Sequence, residues 1–149
     1  MTETEKKKQW LQSYRWIGQR VKFLERQEER LRAAAGPSGI AYDGMPHGSG
    51  DNAADLANYA AKVSDAHAKV ERIKSLWMDR YDDIMSAIMR LPEKESDVLA
   101  LRYVECLRWE ECAHMMGYKG PRSIYPIHGN ALMHLDMPTY DDEILYGDQ

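Results

Sequence analysis

The sequence predicts an all-α protein in which a long antiparallel helical hairpin, a coiled coil, is followed by a small helix-turn-helix head. Apolar residues recur in alternating steps of three and four along two long stretches. A segment rich in glycine and proline separates them, and short amphipathic segments follow Pro92. We therefore expect a hairpin over residues 1–91, a helix-turn-helix domain over residues 92–135 and an acidic tail over residues 136–149.

The first helix of the hairpin is predicted by a heptad seam with Glu28 at its one polar position. The apolar seam residues are Trp10, Tyr14, Ile17, Val21, Leu24 and Leu31. We expect this helix to end at Gly36-Pro37, because proline cannot continue the hydrogen bonding and glycine adopts the left-handed cap conformation. Residues 36–50 then form a loop of glycine, proline, serine and aspartate.

The second helix is predicted to start at Asp51, as its N-cap, and to run to Leu91. Its seam consists of Leu56, Tyr59, Val63, Ala66, Val70, Ile73 and Trp77. Beyond Trp77 two consecutive steps of four lead through Tyr81, Ile84 and Ile88. Such a stutter locally unwinds a supercoil, and we expect the coiled coil to join the head here.

Charge is distributed unevenly along the 149 residues, whose formal net charge is −4. Residues 1–35 carry nine Lys or Arg against five acids, whereas residues 136–149 carry five acids and no base. The two ends are therefore expected to have separate roles. No window approaches the roughly 20 apolar residues of a membrane span, and the start lacks the apolar core of a secretory signal, so we expect a cytoplasmic protein that does not bind membranes.

The residue types that form catalytic and metal sites in other proteins do not occur in a recognisable motif in this sequence. Cys106, Cys112 and His114 lack the paired spacing and the fourth ligand of a zinc site. The aspartates of residues 79–83 are typical of a solvated helix face, and His128 of a packing residue. We expect a protein that is not an enzyme and has no catalytic residues, metal or cofactor.

The head begins with two predicted short helices. The first runs from Glu93 to about Glu105, and the second presents an apolar stripe that ends at Gly117. Ala113 lies four residues before this glycine, and its small side chain allows a following helix to cross closely. This spacing is typical of a helix-turn-helix.

Pro126 lies within the segment that would form the third, recognition helix. If Ser123 is the N-cap, Pro126 falls in the first turn, where backbone amides have no partner within the helix. We therefore predict a recognition helix over residues 124–135, preceded by a long turn. Its core-facing residues are Ile124, Ile127, Ala131 and Leu135.

The C-terminal part of the chain resembles region four of bacterial sigma factors, the helix-turn-helix that reads the promoter −35 element. The matching residues are Leu91-Pro92, Val98-Leu99, Leu101-Arg102-Tyr103, Trp109-Glu110-Glu111, Gly117-Tyr118 and Ala131-Leu132. With His128-Gly129, the coiled N-terminal arm and the loop from Met45 to Asp51, the chain is more similar to the sigma-like late transcription regulators of phages and prophages in Gram-positive bacteria, the RinA/ArpU type. Arg108 stands where the family has a Ser or Thr cap, so Glu111 is expected to lose its capping-box partner.

The resemblance implies a DNA-binding activator of phage or prophage late genes in a bacterial host cell. Double-stranded DNA is the expected partner, and a contact with host RNA polymerase is a second expectation. No core-binding region precedes the motif, which favours an activator over a complete sigma factor. The side chains expected to contact DNA are Lys119, Arg122, Ser123, Tyr125 and Asn130.

Two other functions stay open at the level of the sequence. The chain could be a coiled-coil interaction or assembly protein, which the balance of five bases against six acids over residues 93–135 favours. It could also be a DNA-packaging adaptor of the small-terminase type, which would form a ring. In each case the aromatic seam residues, more than a helix pair can cover, predict a homo-oligomer, with a dimer as the expected state.

Overall fold

The computed structural model describes residues 1–40 and 49–139, and over these residues the protein is all-α, as predicted. The described residues form five α-helices and no strand. The helices are α1 (Glu3–Ile40), α2 (Ser49–Ile88), α3 (Glu93–Leu99), α4 (Trp109–Met115) and α5 (Tyr125–His134). A π-helical turn, Ala100–Val104, continues α3, and a short 3-10 turn, Pro121–Ser123, precedes α5.

Both long helices extend further into the predicted loop than the sequence indicated. The expected end at Gly36-Pro37 is wrong, because α1 continues to Ile40. A proline removes one backbone hydrogen bond and crowds the carbonyl four residues earlier, but this cost of about 3 kcal/mol disfavours helical geometry without excluding it. The second helix begins at Ser49 instead of Asp51 and ends at Ile88. Residues 41–48 of the predicted loop lie outside the described residues.

The C-terminal end of α2 passes into a tight turn before α3. Met89 and Leu91 still donate their backbone amides to the carbonyls of Met85 and Ile88, at 2.9 and 3.0 Å. Pro92 is the N-cap of α3 and has no amide to leave unpaired. The predicted break at this proline is therefore confirmed, although the regular helix ends three residues earlier than expected.

The chain divides into two compact units, and α1 and α2 contribute residues to both. One unit, which we call the helix-pair unit, spans Gln19–Ser75. Its buried apolar residues are Val21, Leu24, Val70 and Ile73. Glu28, the polar seam residue, accepts hydrogen bonds at 2.8 Å from Arg32 on α1 and from His67 on α2. Leu56, expected in the seam, is 65% exposed.

The other unit, which we call the head unit, combines Met1–Gly18 with the chain from Leu76 onward. Its main core draws on α1, α2, α3 with its π-helical turn, and the α5 region. The buried members are Trp10, Leu11, Ile84, Ala87, Ile88, Leu99, Tyr103, Ala131, Leu132 and Leu135. The first turns of α1 are therefore part of the same core as the predicted recognition helix.

Within the head unit, α1 and α2 approach each other closely at one glycine. A methyl group added at Gly18 would lie 2.9 Å from ring atoms of Trp77, which no real contact between carbon atoms tolerates. The Trp77 ring also stacks on Tyr14, with 5.7 Å between ring centroids. One turn further along, the buried Arg80 donates a hydrogen bond to the hydroxyl of Ser13. Burial of Arg80 was not indicated by the sequence.

Candidate nucleic-acid interface

The end of α4 is closed by Gly117, as the sequence predicted. Its φ of 83° lies in the left-handed region, where a residue without a Cβ costs least. The backbone amide of Tyr118 donates to the carbonyl of Ala113 at 2.8 Å, and that of Gly117 donates to His114 at 3.1 Å. This pair of bonds is a Schellman motif, which satisfies the last carbonyls of α4 and fixes the direction in which the chain leaves it.

At the start of α4, the expectation that Glu111 has no capping partner is wrong. Glu111 does keep a partner, since its carboxylate accepts hydrogen bonds from the backbone amide of Arg108 at 3.3 Å and from the Arg108 guanidinium at 2.8 Å. These bonds from Arg108 hold the pKa of Glu111 below its usual value. The carboxylate thus makes half of a capping box, and an arginine that cannot accept the reciprocal bond adds an ion pair in its place.

The segment between α4 and α5 differs from the predicted turn in its last residues. Pro121–Ser123 form a 3-10 turn, and the buried Ile124 precedes the first residue of α5. Ser123 is therefore not the N-cap of α5, and no side chain caps this helix. The 3-10 turn already directs the amide of Ile124 to the carbonyl of Pro121, at 3.0 Å, which makes the predicted cap unnecessary.

Pro126 lies in the first turn of α5, as predicted. Backbone amides in a first turn have no partner within the helix, so the missing amide of proline leaves no bond unmade. The first regular bond at this end joins the amide of His128 to the carbonyl of Ile124, at 2.8 Å. The predicted helix over residues 124–135 is one residue shorter at each end, at Tyr125 and His134.

The five residues predicted to contact DNA all lie on the exposed surface of the turn and α5. They are Lys119, Arg122, Ser123, Tyr125 and Asn130. The opposite side of the segment is buried, through Ile124, Ala131 and Leu132. Ile124 belongs to a second core cluster with Val98, Cys112 and Ala113, which fixes the turn against α3 and α4. The structure thus leaves all five predicted residues exposed, on a segment whose other side is buried.

Trp109, the first residue of α4, packs against α5 and against the π-helical turn. Its ring meets Tyr125 edge to face at 5.5 Å and His128 at 4.7 Å between centroids. The guanidinium of Arg102 lies 4.5 Å from the centroid of the same ring, a cation-π distance. Trp109 therefore positions the half-exposed ring of Tyr125, the only aromatic ring among the predicted contact residues.

A buried polar pair links the π-helical turn to α5. The hydroxyl of Tyr103 and Nε2 of His128 are hydrogen-bonded at 2.7 Å, and the two rings stack at 5.7 Å. Burial raises the pKa of Tyr103 to about 12. Burial, with the nearby charges of Lys8 and Arg102, lowers the pKa of His128 to about 4. Both groups are therefore neutral at pH 7, and His128 is a packing residue, as its position predicted.

The N-terminal turns of α1 hold the other end of α5. The ammonium of Lys7 donates to the carbonyls of Leu132 and Met133, at 2.9 and 3.4 Å. These carbonyls belong to the last turn of α5, where a cation is favoured by the helix dipole. On the same helix end, the imidazole of His134 is hydrogen-bonded to the carboxylate of Glu95 at 2.6 Å. Neither partnership was found from the sequence, because Lys7 lies in a charge run typical of solvated surface.

Residues with catalytic or metal-binding chemistry are not clustered in the part of the chain that the structure describes. No three His, Cys, Asp or Glu side chains lie close enough there to hold a metal ion. Cys112 is buried, which raises its thiol pKa, and Cys106 is exposed at a helix end with a positive φ of 59°. None of the described helices is long and apolar enough to cross a membrane.

Comparisons with known proteins identify no relative of this chain. No family model matches it, and neither a curated protein nor a solved structure is significantly similar to it. The resemblance to sigma-like regulators therefore stays a prediction from the residues that carry it.

Proposed function

We propose that the protein is a DNA-binding transcriptional regulator, not an enzyme, that activates phage or prophage late genes. The observation that carries this proposal is the exposed side of α5 and the turn before it. Two cations, Lys119 and Arg122, lie in the turn, and Tyr125 and Asn130 follow on the helix, all of them open to solvent. Cations of this kind bind phosphates, and amide and aromatic side chains can contact base edges.

The packing of α5 also supports the proposal, because it holds the orientation of this surface. A helix that reads DNA has to keep its orientation while its outer face loses water. In α5 the buried side is packed through Ala131 and Leu132, and the last turn is held by Lys7. Gly117 and the Schellman motif fix the chain direction before the turn. The outer residues thus have a rigid support, which reduces the entropy lost on binding.

Binding to duplex DNA, with its dependence on salt, tests the proposal. Fluorescence anisotropy with promoter DNA from a phage or prophage late region should give a dissociation constant that rises steeply with salt concentration. Each lost phosphate contact reduces the slope of log affinity against log salt by about 0.9, so Lys119→Gln with Arg122→Gln should reduce it by about 2. The matched control is Lys22→Gln with Arg26→Gln, exposed residues of the helix-pair unit with the same change of charge.

Footprinting on the same promoters should show protection at defined positions, and addition of bacterial RNA polymerase tests the proposed polymerase contact. Wild-type protein that binds no duplex DNA at low salt would remove the proposal. Equal slopes for the Lys119/Arg122 variant and the control would show that another surface binds.

The second candidate function is a coiled-coil interaction or assembly protein, with the small-terminase type of adaptor as one form of it. Exposed apolar residues of the helix-pair unit favour this alternative: Phe23 is 42% exposed and Leu56 is 65% exposed. Self-association, with a dimer as the expected state, would cover them. Sedimentation at micromolar concentration separates the alternatives, since a ring of many copies supports an adaptor and a dimer fits a regulator with two half-sites.

A further inference from the structure

The predicted DNA-binding segment lacks the charge that a DNA-binding surface normally has. Residues 93–135 carry five bases against six acids. Binding to duplex DNA depends on cations that replace the condensed counterions of the phosphates. Lys119 and Arg122 supply two such cations. Any other cations of the surface have to come from elements that the fold brings beside α5.

The N-terminal turns of α1 are beside α5, although more than a hundred residues separate them in the chain. Lys7 donates to the carbonyl of Leu132 at 2.9 Å, and Leu11 is fully buried in one cluster with Leu132 and Leu135. Residues 7 and 11 lie one turn apart on the same side of a helix. This side of α1 is therefore the one that faces α5.

Lys8 and Arg15 lie on α1 next to this contact, and both are exposed. Lys8 lies three residues before Leu11, and Arg15 lies four residues after it. The two cations therefore lie near Leu11 on the same side of the helix, on the order of 10 Å apart. Neither forms an ion pair within the described part of the chain, whereas Lys6 lies 3.5 Å from Glu3. The charge of Lys8 is also close enough to α5 to contribute to the lowered pKa of His128.

We propose that Lys8 and Arg15 of α1 are a second pair of phosphate-contacting residues, which extends the DNA-binding surface from α5 onto the opposite end of the chain. This inference rests on the proposed function. The proposed surface then has cations near both ends of α5: Lys119 and Arg122 in the turn before it, and the α1 pair near its last turn, which Lys7 holds. The spacing of about 10 Å exceeds the separation of adjacent phosphates, so each residue would contact a different phosphate group.

The test measures the salt dependence of binding to a mixed-sequence DNA duplex of about 30 base pairs, which reports phosphate contacts without requiring a known operator. Lys8→Gln with Arg15→Gln is compared with wild type, with Lys119→Gln/Arg122→Gln, and with the control Lys22→Gln/Arg26→Gln. The control changes one lysine and one arginine of the same helix, but in the helix-pair unit. Lys7 is left unchanged, because its bonds to α5 make it a structural residue.

The Lys8/Arg15 variant is expected to reduce the slope of log affinity against log salt by about 2, as the Lys119/Arg122 variant does, while the control leaves it within about 0.5 of wild type. Circular dichroism melts verify that all variants are folded. A slope equal to that of the control overturns the inference and leaves the proposed function intact, provided that the Lys119/Arg122 variant still differs. Wild-type protein without salt-dependent binding overturns both.

Discussion

The two compact units differ in the number of apolar residues that they bury: among the described residues, four are buried in the helix-pair unit and fifteen in the head unit. In the head unit, five helices contribute to the cores, and side chains such as Leu11, Ile84 and Leu99 are completely buried. The helix-pair unit has two helices, and Leu56, at a predicted seam position, is largely exposed. A heptad pattern identifies the side of a helix that can be buried, but further elements are needed to cover that side. The number of buried residues therefore depends on the number of packed elements, which a local pattern does not contain.

Truncating one leucine in each unit is the strongest test of this difference. Leu132→Ala, in the head unit, should lower the free energy of unfolding by about 2–5 kcal/mol, because a cavity remains in a closed core. Leu31→Ala, at a half-buried position of the helix-pair unit, should cost less than about 1.5 kcal/mol, since water can fill the space. Urea denaturation followed by circular dichroism measures both. Equal losses would contradict the difference in core closure.

Gly18 offers a second test, at the close approach of α1 and α2 within the head unit. Gly18→Ala should destabilise the protein by about 1–3 kcal/mol, because the new methyl group would overlap the indole of Trp77. The control is Gly129→Ala in α5, where nothing lies within 4 Å of the added carbon. The control should stabilise the fold by about 0.5–1 kcal/mol through its helix propensity. Thermal melts that rank the two variants in the opposite order would refute the close contact.

The buried Tyr103–His128 pair predicts a pH dependence specific to the head unit. The folded-state pKa of His128, about 4, lies below the ordinary value of 6.5, so the unfolded chain binds more protons between these values. Stability should be fully present above pH 6.5 and fall as the pH approaches 4, by on the order of 1 kcal/mol after allowance for the part of the ring open to water. His128→Gln should flatten this slope, whereas His114→Gln, which changes an exposed histidine of α4, should change it less. Melts across this pH range measure the effect.

Two substitutions at the start of α5 should have the smallest effects. Ser123 makes no capping bond, so Ser123→Ala should change the free energy of unfolding by no more than about 0.5 kcal/mol, the usual range for surface positions. Pro126→Ala should be equally mild, because no bond is missing in the first turn. A loss near 1 kcal/mol for Ser123→Ala would restore the serine cap that the sequence indicated. Either outcome is measured by the same urea series.

The sequence predicted those features of the fold that depend on neighbours in the chain. The all-α class, the burial of Ile124, Ala131 and Leu135, the closure of α4 at Gly117 and the place of Pro126 each follow from helical periodicity or from one residue's backbone preference. Ile127, also expected in the core, is only partly buried, whereas Leu132 is buried without having been predicted. The expected helix end at Gly36-Pro37 was wrong: α1 continues to Ile40, since the proline penalty of about 3 kcal/mol disfavours a helix without excluding it.

What the sequence could not predict depends on contacts between distant segments. Leu11 lies outside the heptad seam of α1, and it is buried in a core that also contains residues of α2, α3 and α5. The hydrogen bond of Tyr103 with His128 spans 25 residues, and that of Lys7 with Leu132 spans 125. The exposure of the five predicted contact residues could be inferred from the periodicity of α5 alone. The nearness of Lys7 and Lys8 to α5 could not, because this juxtaposition requires the tertiary fold.

The contact between Lys7 and the end of α5 has a consequence for how the protein is made. A growing chain leaves the ribosome N-terminus first, at about 5–20 residues per second. Trp10 and Leu11 emerge early, but their partners Ala131 and Leu132 are added more than a hundred residues later. Until then the core of the head unit lacks one of its layers, whereas the helix-pair unit is already complete in sequence after Ser75. We therefore expect the helix-pair unit to form during translation, and the N-terminal turns of α1 to acquire protection from proteases only after α5 has emerged.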